Sequence, residues 1–385
     1  MKKLFSFFII ILLIFSSQLN AIAAKNQHLA LKSKGAVLLD SETGAVLYAK
    51  NADKRLYPAS LTKIATAIYA IEKGNLDSIV TVSKNAVEQD GTRVYLIEGE
   101  QITLKKLIQG MLINSGNDAA VAIAEHIDGS VERFAANLNR YLKTTVGVNN
   151  TNFSNPNGLF AKNHYTTAMD LAIITNYAIK NPVFTEIFGT KVLKWEGKSW
   201  KTTLLTHHRM LKGELPYKGI TGGKTGFTTE AKQTLATTAD NGKLKLTAIV
   251  LNSDQKKDKY DDTAILFDYG FKTFHHVTLK QGEIFKMDTK EYYPENDTVI
   301  TENVNGCIKR LNNGGALSIE NNNGQVIQLV SLKYKEPMPK KVPKKIEKPT
   351  ENKQQLYGAN ALYGIIFIAA AGVLIGVRKK FTRGY

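Results

Sequence analysis

Ser60-Leu61-Thr62-Lys63 is the first stretch of the chain in which residue types and spacing could do chemistry. A serine hydroxyl is a weak nucleophile until a base takes its proton. Residues i and i+3 share a helical face, and Ile64 to Ile71 has a helical pattern, so Lys63 can reach the Ser60 hydroxyl. Lysine serves as a base where burial and cationic neighbours disfavour its charged form, and a helix N-terminus favours developing negative charge. The motif alone is cheap, expected by chance about once or twice in a chain of this length. Ser253-Asp254-Gln255-Lys256 is a second copy. It lies in a polar turn after a strand-like run, with no helix expected behind it, and reads as surface.

Two further motifs follow in order. Ser115-Gly116-Asn117 lies 55 residues after Ser60, between the helical runs Leu104 to Leu112 and Ala119 to Ile127. Such a break can hold a hydroxyl and an amide in a cleft, although Asn117 or Asp118 could equally be a helix cap. Lys224-Thr225-Gly226 comes another 109 residues on, after Gly219-Ile220-Thr221-Gly222-Gly223. Glycines allow close approach of a second chain. A strand carrying a lysine, a hydroxyl and a glycine suits an anionic substrate lying along its edge. A glycine-rich hairpin with an exposed lysine would look the same.

The elements that must hold these residues divide the chain by composition. Lys2 and Lys3, an apolar run from Leu4 to Phe15 and Ala21-Ile22-Ala23-Ala24 read as a secretory signal over 1–24. Its apolar stretch would rise only about 18 Å as a helix, short of a membrane's ~30 Å. Residues 25–275 alternate strand-like and helix-like runs, beginning with a hairpin of Ala36–Leu39 and Ala45–Tyr48 around Asp40-Ser41-Glu42-Thr43-Gly44. Leu244 to Leu251 reads as a strand, and Thr263 to Tyr269 as a helix. Residues 276–335 carry short strands between Asn/Gly turns, a small all-β domain. Residues 336–356 are rich in proline and lysine, an extended tether. Tyr357 to Val377 has no charge and is long enough to span a bilayer, with Arg378, Lys379, Lys380 and Arg383 in a cytoplasmic tail, 378–385.

More than half of the net charge of +17 sits in the signal, the tether and the tail. The body's scattered basic residues do not form a nucleic-acid footprint. Cys307 is the only cysteine, which excludes an internal disulfide and a Cys/His metal cluster. His207-His208 and His275-His276 lack the spacing of a zinc site and read as loop or surface residues.

The ordered set resembles the low-molecular-mass penicillin-binding proteins, the serine D-alanyl-D-alanine carboxypeptidases. The similarity runs from about Gly35 to Phe271. It is carried by Pro58-Ala59-Ser60-Leu61-Thr62-Lys63, Ser115-Gly116-Asn117-Asp118-Ala119-Ala120, Asn155-Pro156-Asn157-Gly158-Leu159 and Gly222-Gly223-Lys224-Thr225-Gly226. The resemblance implies an α/β penicillin-binding/β-lactamase-like fold, an antiparallel sheet plus a helical part, followed by the small β domain and the membrane helix. It implies an enzyme that removes the terminal D-alanine from peptidoglycan pentapeptides ending in D-Ala-D-Ala and is acylated by β-lactams, on the outer face of the bacterial cytoplasmic membrane. By resemblance, Ser60 is the nucleophile, Lys63 its base and Ser115 a proton relay. Asn117, Lys224, Thr225, Gly226 and Phe227 bind substrate, with the N–H groups of Ser60 and Phe227 as the oxyanion hole. No metal or organic cofactor is required. Phe227 stands where some members place a histidine, and Lys259 where some may place an arginine for the substrate carboxylate.

Three alternatives share these motifs. A transpeptidase would use an amine in place of water. A β-lactamase of class A would need a glutamate for deacylation in a Glu-x-x-Leu-Asn setting, and Ala135 occupies that place before Leu138-Asn139. A catalytically dead wall-binding or sensing module would not need all three motifs intact.

Overall fold

Gly35–Asp40 (β1) is buried at all six positions, as expected of a strand covered on both faces. Its alternation divides two cores. Val37 and Leu39 pack on one side with Ile249, Leu251 and Ala168, while Ala36 and Leu38 pack on the other with Val250, Leu266 and Phe267. This computed structural model describes residues 29–336. The expected signal, nearly all of the tether, the spanning segment and the tail lie outside the described residues. Among those described, no helix is long and apolar enough to cross a membrane.

β1 is one strand of a five-stranded antiparallel sheet with Val46–Lys50 (β2), Ile220–Thr228 (β3), Lys232–Asp240 (β4) and Lys245–Ser253 (β5), in the order β2-β1-β5-β4-β3. The first hairpin forms as the sequence predicts, pairing Val37 with Ala49 and Leu38 with Tyr48. Its turn is held by the Asp40 carboxylate, which accepts the N–H groups of Glu42 and Thr43. β3, with the Lys-Thr-Gly motif, is an edge of the sheet, so its outer backbone groups are not taken by another strand of it.

The helical part is built around Thr62–Lys73 (α1), buried continuously from Thr62 to Ala70. Such a mostly apolar helix belongs in the interior, and Ala65, Ala67 and Ala70 let its neighbours approach. Those neighbours include Leu104–Ile113 (α2), Asn117–Asp128 (α3) and Ala168–Ala178 (α4). The sharp break between α2 and α3 is the Ser115-Gly116 step.

Asp258–Thr273 (α5) packs on the other face of the sheet and is longer than the expected Thr263 to Tyr269 helix. Its first turn is charged and carries no apolar periodicity; Lys257 and Asp261 pair across it. This helix corrects the reading of Ser253 to Lys256. A helix does follow, and Ser253 is a buried end of β5 whose hydroxyl meets Ser33 Oγ at 2.7 Å.

Past α5 the chain runs straight into Phe274–Leu279, paired with Thr298–Asn303, and then into two three-stranded sheets. Leu279, Ile300, Leu317, Ile319 and Ile327 bury their side chains in the same cluster as Leu38 and Leu246. Asp40, fully buried, also accepts from Thr301 Oγ1 at 3.0 Å and meets His276 Nε2 at 2.7 Å. Here the histidine reading is corrected in part: His276 is tied to Asp40 and His208 is 1% exposed, while His207 and His275 are exposed as expected.

Candidate active site

Ala59–Leu61 forms a single 3-10 turn that runs directly into α1, placing Ser60 just ahead of the helix. Ala59 has φ of +50°, an uncommon conformation for a residue with a side chain. Two glycines hold this turn. A Cβ on Gly158, itself at φ +84°, would lie 1.9 Å from the Ala59 carbonyl oxygen. One on Gly226 would lie 2.4 Å from Thr234 Oγ1 and 3.0 Å from the Ser60 nitrogen. The Asn-Pro-Asn-Gly loop and β3 therefore press on the Ser60 turn as close as backbones allow.

Lys63 is fully buried one helical turn on. Its Nζ lies 3.1 Å from Ser60 Oγ, 2.7 Å from Asn117 Oδ1 and 2.5 Å from the Asn157 carbonyl oxygen. Among the described residues, no carboxylate touches it. Burial, with Lys224 nearby, lowers its pKa well below the ordinary lysine value; Asp118 opposes this more weakly.

Ser115 sits at φ +65°, a strained position for a serine. Lys224 Nζ donates to Ser115 Oγ at 2.9 Å and to the Thr225 carbonyl at 2.7 Å. The three motifs thus converge on one cleft of about 370 Å³, whose walls include Ser60, Ser115, Thr225, Gly226 and Phe227. Lys224 is also buried, with no carboxylate partner among the described residues, and burial, then Lys259, pushes its pKa down to about 7.

Lys259 lines the same cleft from the first turn of α5. It donates to Gln233 Oε1 at 2.8 Å, and burial followed by Lys256 lowers its pKa to about 8. Asn117 gains a partner beyond the expected substrate amide: its Oδ1 holds Lys63 while its Nδ2 donates to the Asp90 carbonyl at 2.5 Å.

This geometry is that of a serine acyltransferase, and the comparisons say which kind. The family model described as D-alanyl-D-alanine carboxypeptidase matches residues 21–255. The chain belongs to that family. A D-alanyl-D-alanine carboxypeptidase of Bacillus subtilis is 34% identical over 303 residues, covering 76% of this chain and 77% of the relative. One from Haemophilus influenzae is 32% identical, covering 68% of each. Among solved structures, penicillin-binding protein 5 of Haemophilus influenzae matches at a TM-score of 0.68 and 26% identity, covering 80% of this chain and 98% of that one. A variant DD-transpeptidase of Streptomyces matches at 0.59 and 30%, covering 63% and 99%. The α/β fold is thus that of the penicillin-binding proteins, and the chain is a serine-type carboxypeptidase of D-alanyl-D-alanine.

Other parts of the carboxypeptidase site carry weaker sequence signals. The Asn157 carbonyl accepts from Lys63 through the backbone, which no side-chain pattern reveals. His164, 102 residues from Thr62, closes a chain of hydrogen bonds under the nucleophile turn. Its Nδ1 accepts the Ser154 N–H at 3.1 Å, so Nε2 carries the proton and donates to Thr62 Oγ1 at 2.8 Å; Thr62 then donates to the Ala59 carbonyl at 2.9 Å. Burial, with Lys63, pushes the His164 pKa down to about 3, so the ring is neutral. Asp118, next to the Ser-x-Asn motif, accepts the N–H groups of Val94, Leu96 and Ala119 and pins the loop at the cleft wall.

Proposed function

We propose that Ser60 attacks the carbonyl between two D-alanines, with Lys63 taking its proton. The observation that carries this is the set of Lys63 partners. A neutral amine has two N–H donors and one lone pair. Asn117 Oδ1 and the Asn157 carbonyl take the donors, which leaves the lone pair for the Ser60 O–H. Ser115, held by Lys224, passes a proton to the departing amine. The N–H groups of Ser60 and Phe227 hold the oxyanion, each donor worth about 3 kcal/mol in acyl transfer. Asn117 keeps an N–H for the substrate amide, and Thr225, at Gly226 and beside Lys259, receives the terminal carboxylate. Water then hydrolyses the ester and regenerates Ser60. A β-lactam acylates the same serine.

The test is D-alanine release from a soluble peptide ending in D-Ala-D-Ala, with and without an added amine acceptor. Release with little cross-linked product supports carboxypeptidase action. Cross-linked product as the main species would make the enzyme a transpeptidase, and Ser60→Ala must abolish either.

The exported, anchored arrangement completes the proposal. Residues 1–24 direct export, 25–275 catalyse, 276–335 space or dock the body, 336–356 tether it, and 357–377 cross the cytoplasmic membrane with 378–385 inside. Its support is the charge-free run Tyr357 to Val377 followed by Arg378, Lys379 and Lys380. A chain truncated after Leu356 should leave the membrane fraction for the medium or periplasm; retention in membranes would refute the anchor.

A further inference from the structure

The chain that leaves the cleft after Thr92 carries side chains with no part in the acyl transfer. Thr92 lines the cleft, and its carbonyl accepts the Asn117 N–H at 2.7 Å. Tyr95 follows three residues on, within about 11 Å of extended chain. It is 52% exposed and meets Trp200 edge-on, with ring centroids 5.1 Å apart. The Arg93 guanidinium lies 5.4 Å from the centre of the Tyr95 ring. The protein fixes this group in place. Tyr95 has φ of +57°, an uncommon conformation for a bulky residue. Such a conformation persists only where its surroundings impose it, and it recurs at ligand clamps. Here the buried Asp118 carboxylate accepts the N–H groups of Val94 and Leu96, on either side of Tyr95. The Val94 carbonyl takes the Trp200 indole N–H at 2.7 Å, and the Tyr95 carbonyl takes the Ser199 hydroxyl. Ser199 and Trp200 lie in the turn between Val192–Glu196 and Lys201–Leu205, a hairpin that seats the fully buried Trp195 on α2. A Cβ on Gly110 of that helix would lie 2.9 Å from the Trp195 ring.

We propose that Tyr95, Trp200 and Arg93 form a sugar-binding platform beside the cleft, which holds a pyranose ring of the wall polysaccharide. This rests on the reading above, in which the substrate is a D-Ala-D-Ala peptide, and takes that peptide as a branch of peptidoglycan. Tyrosine, tryptophan and arginine supply much of the binding energy at recognition surfaces. Holding them rigid lowers the cost of ordering them on binding. The patch is too small for a stable protein partner, which covers about 800 Å² on each side. A flat aromatic face does match the C–H face of one pyranose ring. Arg93 gives one N–H to the Val87 carbonyl at 3.2 Å, and a guanidinium has further donors for hydroxyl and acetamido oxygens. The platform joins the cleft through Thr92, which gives the occupant its identity. An extended pentapeptide reaches about 17 Å, so the polymer can rest on the platform while a peptide branch lies in the cleft.

The experiment measures D-alanine release by the full chain in detergent from two substrates. One is a soluble N-acyl pentapeptide ending in D-Ala-D-Ala; the other is uncross-linked glycan strands bearing the same pentapeptide. Tyr95→Ala should raise KM for the strands about fivefold or more, the usual effect of truncating an aromatic anchor. Its kcat/KM for the free peptide should stay within about twofold of wild type, as for an exposed position. Tyr95→Phe keeps the ring and should match the wild type on both substrates. A competitor needs no substitution: a tetramer of N-acetylglucosamine should raise the wild-type KM for the strands and leave the free peptide unaffected. An unchanged KM for the strands in Tyr95→Ala, an equal loss on both substrates, or no competition by the tetramer overturns the platform while D-alanine release continues. No release from either substrate by the wild type overturns the carboxypeptidase reading, and the platform with it.

Discussion

Lys63 is the residue on which the proposed chemistry turns: it is a buried amine with no carboxylate partner among the described residues, and burial lowers its pKa well below the ordinary lysine value. Lys63→Ala should lower penicillin acylation about a hundred- to ten-thousand-fold, the usual contribution of a positioned base. Lys63→Arg should fare no better, since a guanidinium keeps its charge and offers no lone pair. Acylation within tenfold of wild type in either variant, measured by stopped flow, would remove Lys63 from its role. Lys259 makes a second case at this scale. With a pKa near 8 it is cationic below that value and loses its charge above it. KM for the peptide should therefore rise as pH passes 8, with kcat changing less. Lys259→Arg, charged throughout, should flatten that rise; an unchanged KM–pH profile would show that Lys259 does not meet the carboxylate. Ser60, Lys63, Ser115 and Lys224 were legible in the sequence because they stand in ordered motifs, and the structure joins them by hydrogen bonds. It left Lys259 a weak candidate, because a lone lysine on a charged helical turn looks like surface. Only the fold shows that it is 3% exposed and hydrogen-bonded to Gln233.

At the scale of elements, the site is a meeting of backbones. The 3-10 turn at Ser60 lies between β3, which approaches at Gly226, and the Asn-Pro-Asn-Gly loop, which approaches at Gly158. A methyl group at 158 meets the Ala59 carbonyl and also sits at a positive φ. Gly158→Ala should thus cost about 1–3 kcal/mol in stability and displace the nucleophile turn, slowing acylation at least tenfold. Thermal denaturation and penicillin labelling measure the two effects; wild-type values in both would mean that the loop does not set the turn. The periodicities of α1, α2, α3 and β1 were readable because each buries a regular face or is buried all round. The α5 start was not, since Asp258, Lys259, Asp261 and Asp262 are placed by ion pairs and long-range hydrogen bonds. Asp262 accepts the backbone N–H of Lys32 and Ser33, more than 200 residues away in sequence. The burial of Ser253 and His208 was hidden for the same reason: each is satisfied by a distant hydroxyl, Ser33 or Thr237.

For the whole molecule, the strands after α5 share a core with the catalytic sheet, although composition suggests only a change of pattern near His276. Ile300→Ala, deep in that shared cluster, should cost about 2–5 kcal/mol. It should lower one cooperative calorimetric transition of the body. Two transitions, with only the smaller displaced, would show that the β strands fold apart from the sheet. The most direct test of the central claim is intact-protein and peptide mass spectrometry after brief penicillin exposure, beside Ser60→Ala. The predicted result is one added penicillin per chain, carried by the peptide containing Ser60 and absent from the variant. An adduct on another residue, or no adduct while the free drug stays intact, would contradict Ser60 as the nucleophile.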